Sequence, residues 1–150
     1  MSHTDVKPVK RPWHRWVVGP ILVIQALIEG ANIAGALALG SPEAPTAGLP
    51  ELPPGALDYY AALAPWEHVV GGVYVALLLA TGIAVMMWAA WGRAAVAARG
   101  AIHLGYFGWH LATSTYLAVF GPVGIAISTA LLLATIVYVF ALTPRSRPKG

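Results

Sequence analysis

Cysteine is absent from all 150 residues. Disulfides, thiolate zinc sites, iron–sulfur ligation and thiol redox chemistry are therefore excluded for this chain's own side chains. Charge is almost as scarce: Asp, Glu, Lys and Arg make up 10% of the chain, against about 25% in an ordinary soluble domain. There is no Gly-rich phosphate cradle, and no HExxH or ExxH spacing for a metal. No internal repeat is visible either. What fills the space is apolar. Hydrophobic residues are 58% of the chain, and the mean hydropathy is +0.69. This points to an all-α integral membrane protein with room for one bundle and no second domain.

A run of about 20 apolar residues crosses a bilayer as a helix. Four such runs occur, at 16–39, 66–91, 101–120 and 123–142. The segment 92–100 separates the second from the third, and Gly121-Pro122 breaks the third from the fourth, with Pro122 suited to a helix start. The expectation is a four-helix transmembrane bundle. Residues 1–15 and 143–150 would be basic tails, and the long Pro-rich segment 40–65 an outer loop between the first two helices.

The basic residues give an orientation. Lys7, Lys10, Arg11 and Arg15 precede the first run, Arg93 and Arg99 lie between the second and third, and Arg145, Arg147 and Lys149 follow the fourth. These are all nine Lys and Arg residues, and four crossings put them on one side. The 40–65 loop carries only acidic charges, Glu43, Glu51 and Asp58. The positive-inside rule then places both termini in the cytoplasm of a multi-pass protein of the cell inner membrane. The sequence pI of about 9.5 is thereby explained by lipid contact, and no nucleic-acid partner is required. Trp13, Trp16, Trp66, Trp88 and Trp91 fall at run ends, as an interfacial aromatic belt does. Ala36-Leu37-Ala38 resembles a signal-peptidase site. However, the preceding apolar stretch is about twice the usual length and is interrupted by Glu29, so we read it as a span. Within the loop, 57–63 (LDYYAAL) suits a short interfacial helix anchored by Tyr59 and Tyr60.

The spans carry polar stripes. Residues at i, i+4, i+7 and i+11 share a helix face. Gln25, Glu29, Asn32 and Ala36 form one such set, and His103, Phe107, His110 and Ser114 another. Counted from the cytoplasmic ends of runs one and three at about 1.5 Å per residue, Glu29 and His110 both fall near the midplane. A charge there costs about 3 kcal/mol on insertion scales, so Glu29 is expected to face inward. With no Lys or Arg inside the four runs, His110 is its expected partner, with Gln25, Asn32 and Ser114 around the pair. On the second run, Glu67, Gly71, Tyr74, Leu78 and Thr81 share a face. Glu67 and His68 lie near the outer surface, either as interfacial residues or as a polar mouth leading toward Glu29. His103 lies near the inner surface. The plain alternative for all of these is interhelical hydrogen bonding. Small residues at Ala26, Gly30 and Ala34, and at Ala126, Ala130 and Ala134, allow close helix approach inside the bundle or to another subunit.

No cofactor is required. His68, His103 and His110 sit at three different depths, so no two of them bracket a haem b iron. Glu29 and His110 are too few for a tight metal site. Ser114, one turn beyond His110, is a weak nucleophile candidate because membrane Ser residues commonly bond back to the helix.

The opening Glu67-His68-Val69-Val70-Gly71-Gly72 of the second run, the polar loop before it and GYFGWH at 105–110 together resemble the DoxX-like group of small bacterial membrane proteins, over about residues 16–142. The resemblance implies a four-helix bundle and, for some members, partnership in quinone-linked oxidoreductase complexes. The functional expectation is an intramembrane pocket on Glu29 and His110 that binds a quinone or lipid. The chain would act as an enzyme or as a subunit of a redox complex. A non-catalytic scaffold, homo-oligomeric or within a larger complex, is the alternative. A proton-coupled transporter is a second alternative.

Overall fold

A helix that is apolar on all sides has no face for water and is stable only in a core or a bilayer. The computed structural model describes residues 11–39, 55, 58–59, 62–113 and 116–143, and those residues form helices without any strand. Helix α1 covers Arg15–Leu39, α2 Pro65–Met87 and α3 Gly92–Ile102. A π-helical turn at His103–Phe107 leads into α4, Gly108–Thr113, and α5 covers Tyr116–Leu142. Three stretches are long and apolar enough to cross a membrane: Arg15–Gly35, Pro65–Met87 and Gly121–Leu142. Large apolar side chains point outward from them, among them Ile21, Ile24, Leu27 and Ile28 on α1 and Val123, Ile127, Leu133 and Val137 on α5.

The helix ends follow local chemistry. Pro65 opens α2 at a position where its missing N–H costs nothing. Glu67 reaches back to accept the Ala64 N–H at 2.5 Å, the reverse arm of a capping box. At the other end Trp88 adopts a left-handed backbone, φ 58 and ψ 44. Its N–H and that of Ala89 return to the Val85 and Ala84 carbonyls at 3.1 and 2.8 Å, which satisfies the last turn. Gly121 leaves helical space inside α5, with φ 71 and ψ 161, and Pro122 follows it.

Two of the basic residues cap helices. Arg15 donates to the Met86 carbonyl at 3.2 Å, and Arg93 donates to the Phe140 and Thr143 carbonyls at 2.8 and 2.6 Å. Cations at helix C-termini are favourable. With His14 meeting the Tyr138 hydroxyl at 2.5 Å, these contacts gather the start of α1, the end of α2, the start of α3 and the end of α5 at one end of the molecule. The apolar core next to that end draws on all four elements, with Leu22, Ala26, Leu78, Val85, Val96 and Val139 buried together. α1 and α2 come closest at two glycines. A Cβ on Gly82 would sit 3.0 Å from the Gly19 carbonyl oxygen and 2.9 Å from a Val23 methyl. Ala26 is buried on that seam, whereas Ala126, Ala130 and Ala134 are exposed on α5.

The third helical stretch corrects the sequence expectation. It starts at Gly92 rather than 101, so the segment 92–100 is helix and not a connector. The Ala residues at 94, 95, 97 and 98 are strong helix formers, and Gly92, Ala95, Val96, Arg99 and Gly100 make its buried face. The shift of about 13 Å, at about 1.5 Å per residue, carries Arg99 into the helix interior and moves His110 toward the far end.

Candidate functional site

The expected pairing of Glu29 with His110 is replaced by two others. Arg99, 2% exposed, brings Nη2 to 3.8 Å from Glu29 Oε1. Gln25, one turn before Glu29, donates its amide to the same oxygen at 2.8 Å. His110, 4% exposed, and Glu67, 8% exposed, meet at 2.8 Å between Nε2 and Oε1. The depth shift of α3 explains both changes. A helix that begins at Gly92 puts Arg99 about 10 Å along its axis and His110 about 27 Å along it. Arg99 then reaches Glu29 with its long side chain, while His110 lies level with the first turn of α2.

Glu67 is well satisfied. Its Oε2 takes the Ala64 N–H, and its Oε1 faces His110 and accepts the Tyr106 hydroxyl at 3.4 Å. His110 Nδ1 lies 3.3 Å from the Tyr59 hydroxyl. Tyr59 is buried, so it packs inward rather than anchoring at the interface. Its neighbour Tyr60 lies outside the described residues, as do Ser114 and the Asn32 side chain.

A second polar chain runs from Arg99. Its guanidinium stacks over the Tyr74 ring, 4.5 Å from the centroid, in cation–π geometry. The Tyr74 hydroxyl meets His103 Nδ1 at 3.3 Å, and His103 Nε2 meets the Thr129 hydroxyl of α5 at 3.1 Å. His103 is buried within the protein. The π-helical turn makes this possible. One extra residue in the turn changes which side chains face inward, and such turns recur at functional sites. Here Tyr106 and Phe107 both come to line the interior next to His103.

Between the two polar chains lies a cavity of about 290 Å³. α1 contributes Glu29 and Ile33, and α2 contributes Glu67, His68, Gly71, Tyr74 and Val75. Arg99, His103, Tyr106 and Phe107 form the facing wall, with Tyr59 and Leu63 at one side and Tyr116 and Ser128 at another. Ser128 on α5 is the exposed member of this lining. Apolar and aromatic walls with a few converging polar groups are the usual make-up of a small-molecule site. Of the residues singled out from the sequence, Glu29, Glu67, His68, Tyr74 and His103 line this cavity, while Gln25 and His110 support it through Glu29 and Glu67.

Sequence reasoning missed Tyr59, Arg99, Tyr106 and Tyr116. For Arg99 a signal was present: positions 92, 95, 96, 99 and 103 recur at helical spacing and continue into the His103 stripe. Among the described residues no three His, Asp or Glu side chains gather to hold a metal ion. The chain matches no family model, no curated protein and no solved structure.

Proposed function

We propose that this chain is a four-span inner-membrane protein of DoxX-like type, with both ends in the cytoplasm, whose cavity holds a lipophilic small molecule of the quinone or lipid class. The cavity carries the reading. It sits among helices with apolar outer faces, it is walled by aromatic rings, and its lining includes the exposed Ser128 on a helix apolar enough to span. Gly92–Thr113 would supply the fourth crossing. At about 1.5 Å per residue it is about 33 Å long, against a hydrocarbon core of about 30 Å. The clustering of Arg15 and Arg93 at one end supports the orientation.

The test is gentle purification followed by mass spectrometry of whatever lipophilic molecule comes with the protein. Ser128→Trp puts an indole at an exposed position of the cavity lining and is expected to lower the amount recovered at least several-fold. Equal recovery from a folded Ser128→Trp protein would overturn the assignment. A scaffold role is the second reading. It is favoured by the polar cross-links Glu67–His110 and His103–Thr129, which tie separate elements together.

A further inference from the structure

The guanidinium of Arg99 is buried without enough acceptors. Its Nε has no hydrogen-bond partner, and its side chain lines the cavity while being 2% exposed. The carboxylate it meets, Glu29, stands 3.8 Å away, well beyond the roughly 2.7–2.9 Å of a charge-assisted N–H···O bond. Tyr74 gives its ring face and a hydroxyl partner, and neither carries a full negative charge. The cavity's other carboxylate, Glu67, is committed to Ala64, His110 and Tyr106. A buried guanidinium carries five N–H donors in a flat fork, and a buried charge left short of partners is costly. The group that would complete this site has two oxygens in one plane and a negative charge.

We infer that the cavity's ligand is an acidic amphiphile, with a carboxylate or phosphate headgroup seated on Arg99 and a hydrocarbon tail against Ile33, Leu63, Val75 and Phe107. This rests on the ligand-binding reading above and narrows it. A neutral quinone offers carbonyl oxygens but does not neutralise the guanidinium, whereas a carboxylate or phosphate does both and matches the fork. Glu29 is the standing counter-ion. Its side chain is 31% exposed and held by Gln25, so an incoming oxyanion competes with it for Arg99. The Glu29 charge weakens the site for anions, and removing that charge strengthens it.

The experiment uses the full chain in zwitterionic phosphatidylcholine nanodiscs. The probes are cis-parinaric acid, its methyl ester and decylubiquinone, each followed by energy transfer from or quenching of tryptophan. The acid is expected to bind about tenfold or more tightly than the ester, the size of one charge-assisted contact. Arg99→Gln is expected to bring acid and ester to equal affinity without changing the ester. Glu29→Gln is expected to tighten the acid severalfold and leave the ester alone. Millimolar inorganic phosphate is expected not to displace the acid; displacement by phosphate would overturn the requirement for a tail. Equal binding of acid and ester to the wild type would overturn the oxyanion assignment, while the cavity reading survives on ester or decylubiquinone binding. Failure of all three probes to bind removes both. If Arg99→Gln does not fold, Glu29→Gln decides alone, and an unchanged acid affinity there refutes the proposal.

Discussion

Removing the Glu67 carboxylate should be among the costliest single changes in this molecule. Glu67 is buried, accepts the Ala64 N–H at 2.5 Å and the Tyr106 hydroxyl at 3.4 Å, and has its Oε1 2.8 Å from His110 Nε2 in ion-pair contact. In Glu67→Ala the first turn of α2 loses its reverse cap, worth about 1 kcal/mol. The buried His110 loses its carboxylate neighbour, a further 1.5–3 kcal/mol or so if the imidazole is charged and about 1 kcal/mol if it is neutral. The expected total is about 2–4 kcal/mol. Glu67→Gln keeps one carbonyl oxygen and should cost about half as much. His110→Phe keeps the ring against Tyr106, whose centroid is 4.5 Å from that of His110, while deleting the nitrogens. The double variant then isolates the pair. Equilibrium unfolding in mixed dodecyl maltoside and SDS micelles, followed by tryptophan fluorescence, gives the four stabilities of the cycle. A coupling near 1 kcal/mol indicates a neutral hydrogen bond, and one of about 2 kcal/mol or more an ion pair. Single costs that add to within about 0.5 kcal/mol would refute the claim that these two residues are partners.

Two further predictions concern the frame around the site. Gly82→Ala places a Cβ 3.0 Å from the Gly19 carbonyl oxygen and should cost about 1–3 kcal/mol by overpacking; Gly35→Ala, with nothing within 4 Å of its Cβ, should be neutral or gain up to about 1 kcal/mol in helix propensity. A neutral Gly82→Ala in the same micelle assay would refute the close crossing. The absence of cysteine makes topology mapping free of background: with a membrane-impermeant maleimide on intact cells, Ser41→Cys should label while Ser2→Cys and Ser146→Cys label only after lysis. Labelling of Ser146→Cys in intact cells would overturn the four-span orientation.

The apolar character of the spans was legible because it is a property of long runs, and errors at the ends hardly alter a sum over twenty residues. Side-chain pairing is different, because it depends on where each helix begins. The segment 92–100, bounded by glycines and carrying two arginines, has the composition of a connector, yet its five residues between the arginines are four alanines and a valine. Once those alanines continue the helix, every residue of the third stretch moves about 13 Å along the helix axis relative to a start at 101. That one displacement removes His110 from Glu29, delivers it to Glu67, and puts Arg99 in the vacated position. Glu29 and His110 each meet an oppositely charged or titratable partner, but a different one from that expected for a helix starting at 101. The cost of an unpaired charge in an apolar interior explains why the correction had to come as a pair of exchanges. Arg99 cannot enter the helix interior without a carboxylate, and Glu29 is the carboxylate within its reach. The π-helical turn was beyond sequence reasoning for a related reason. Its effect is to bring Tyr106 and Phe107 inward together, and a strict 3.6-residue period allows only one of two adjacent residues to face squarely in. The aromatic wall of the cavity therefore comes from a departure from regular helix, at the place where the two buried histidines of that stretch, His103 and His110, both need partners on other elements.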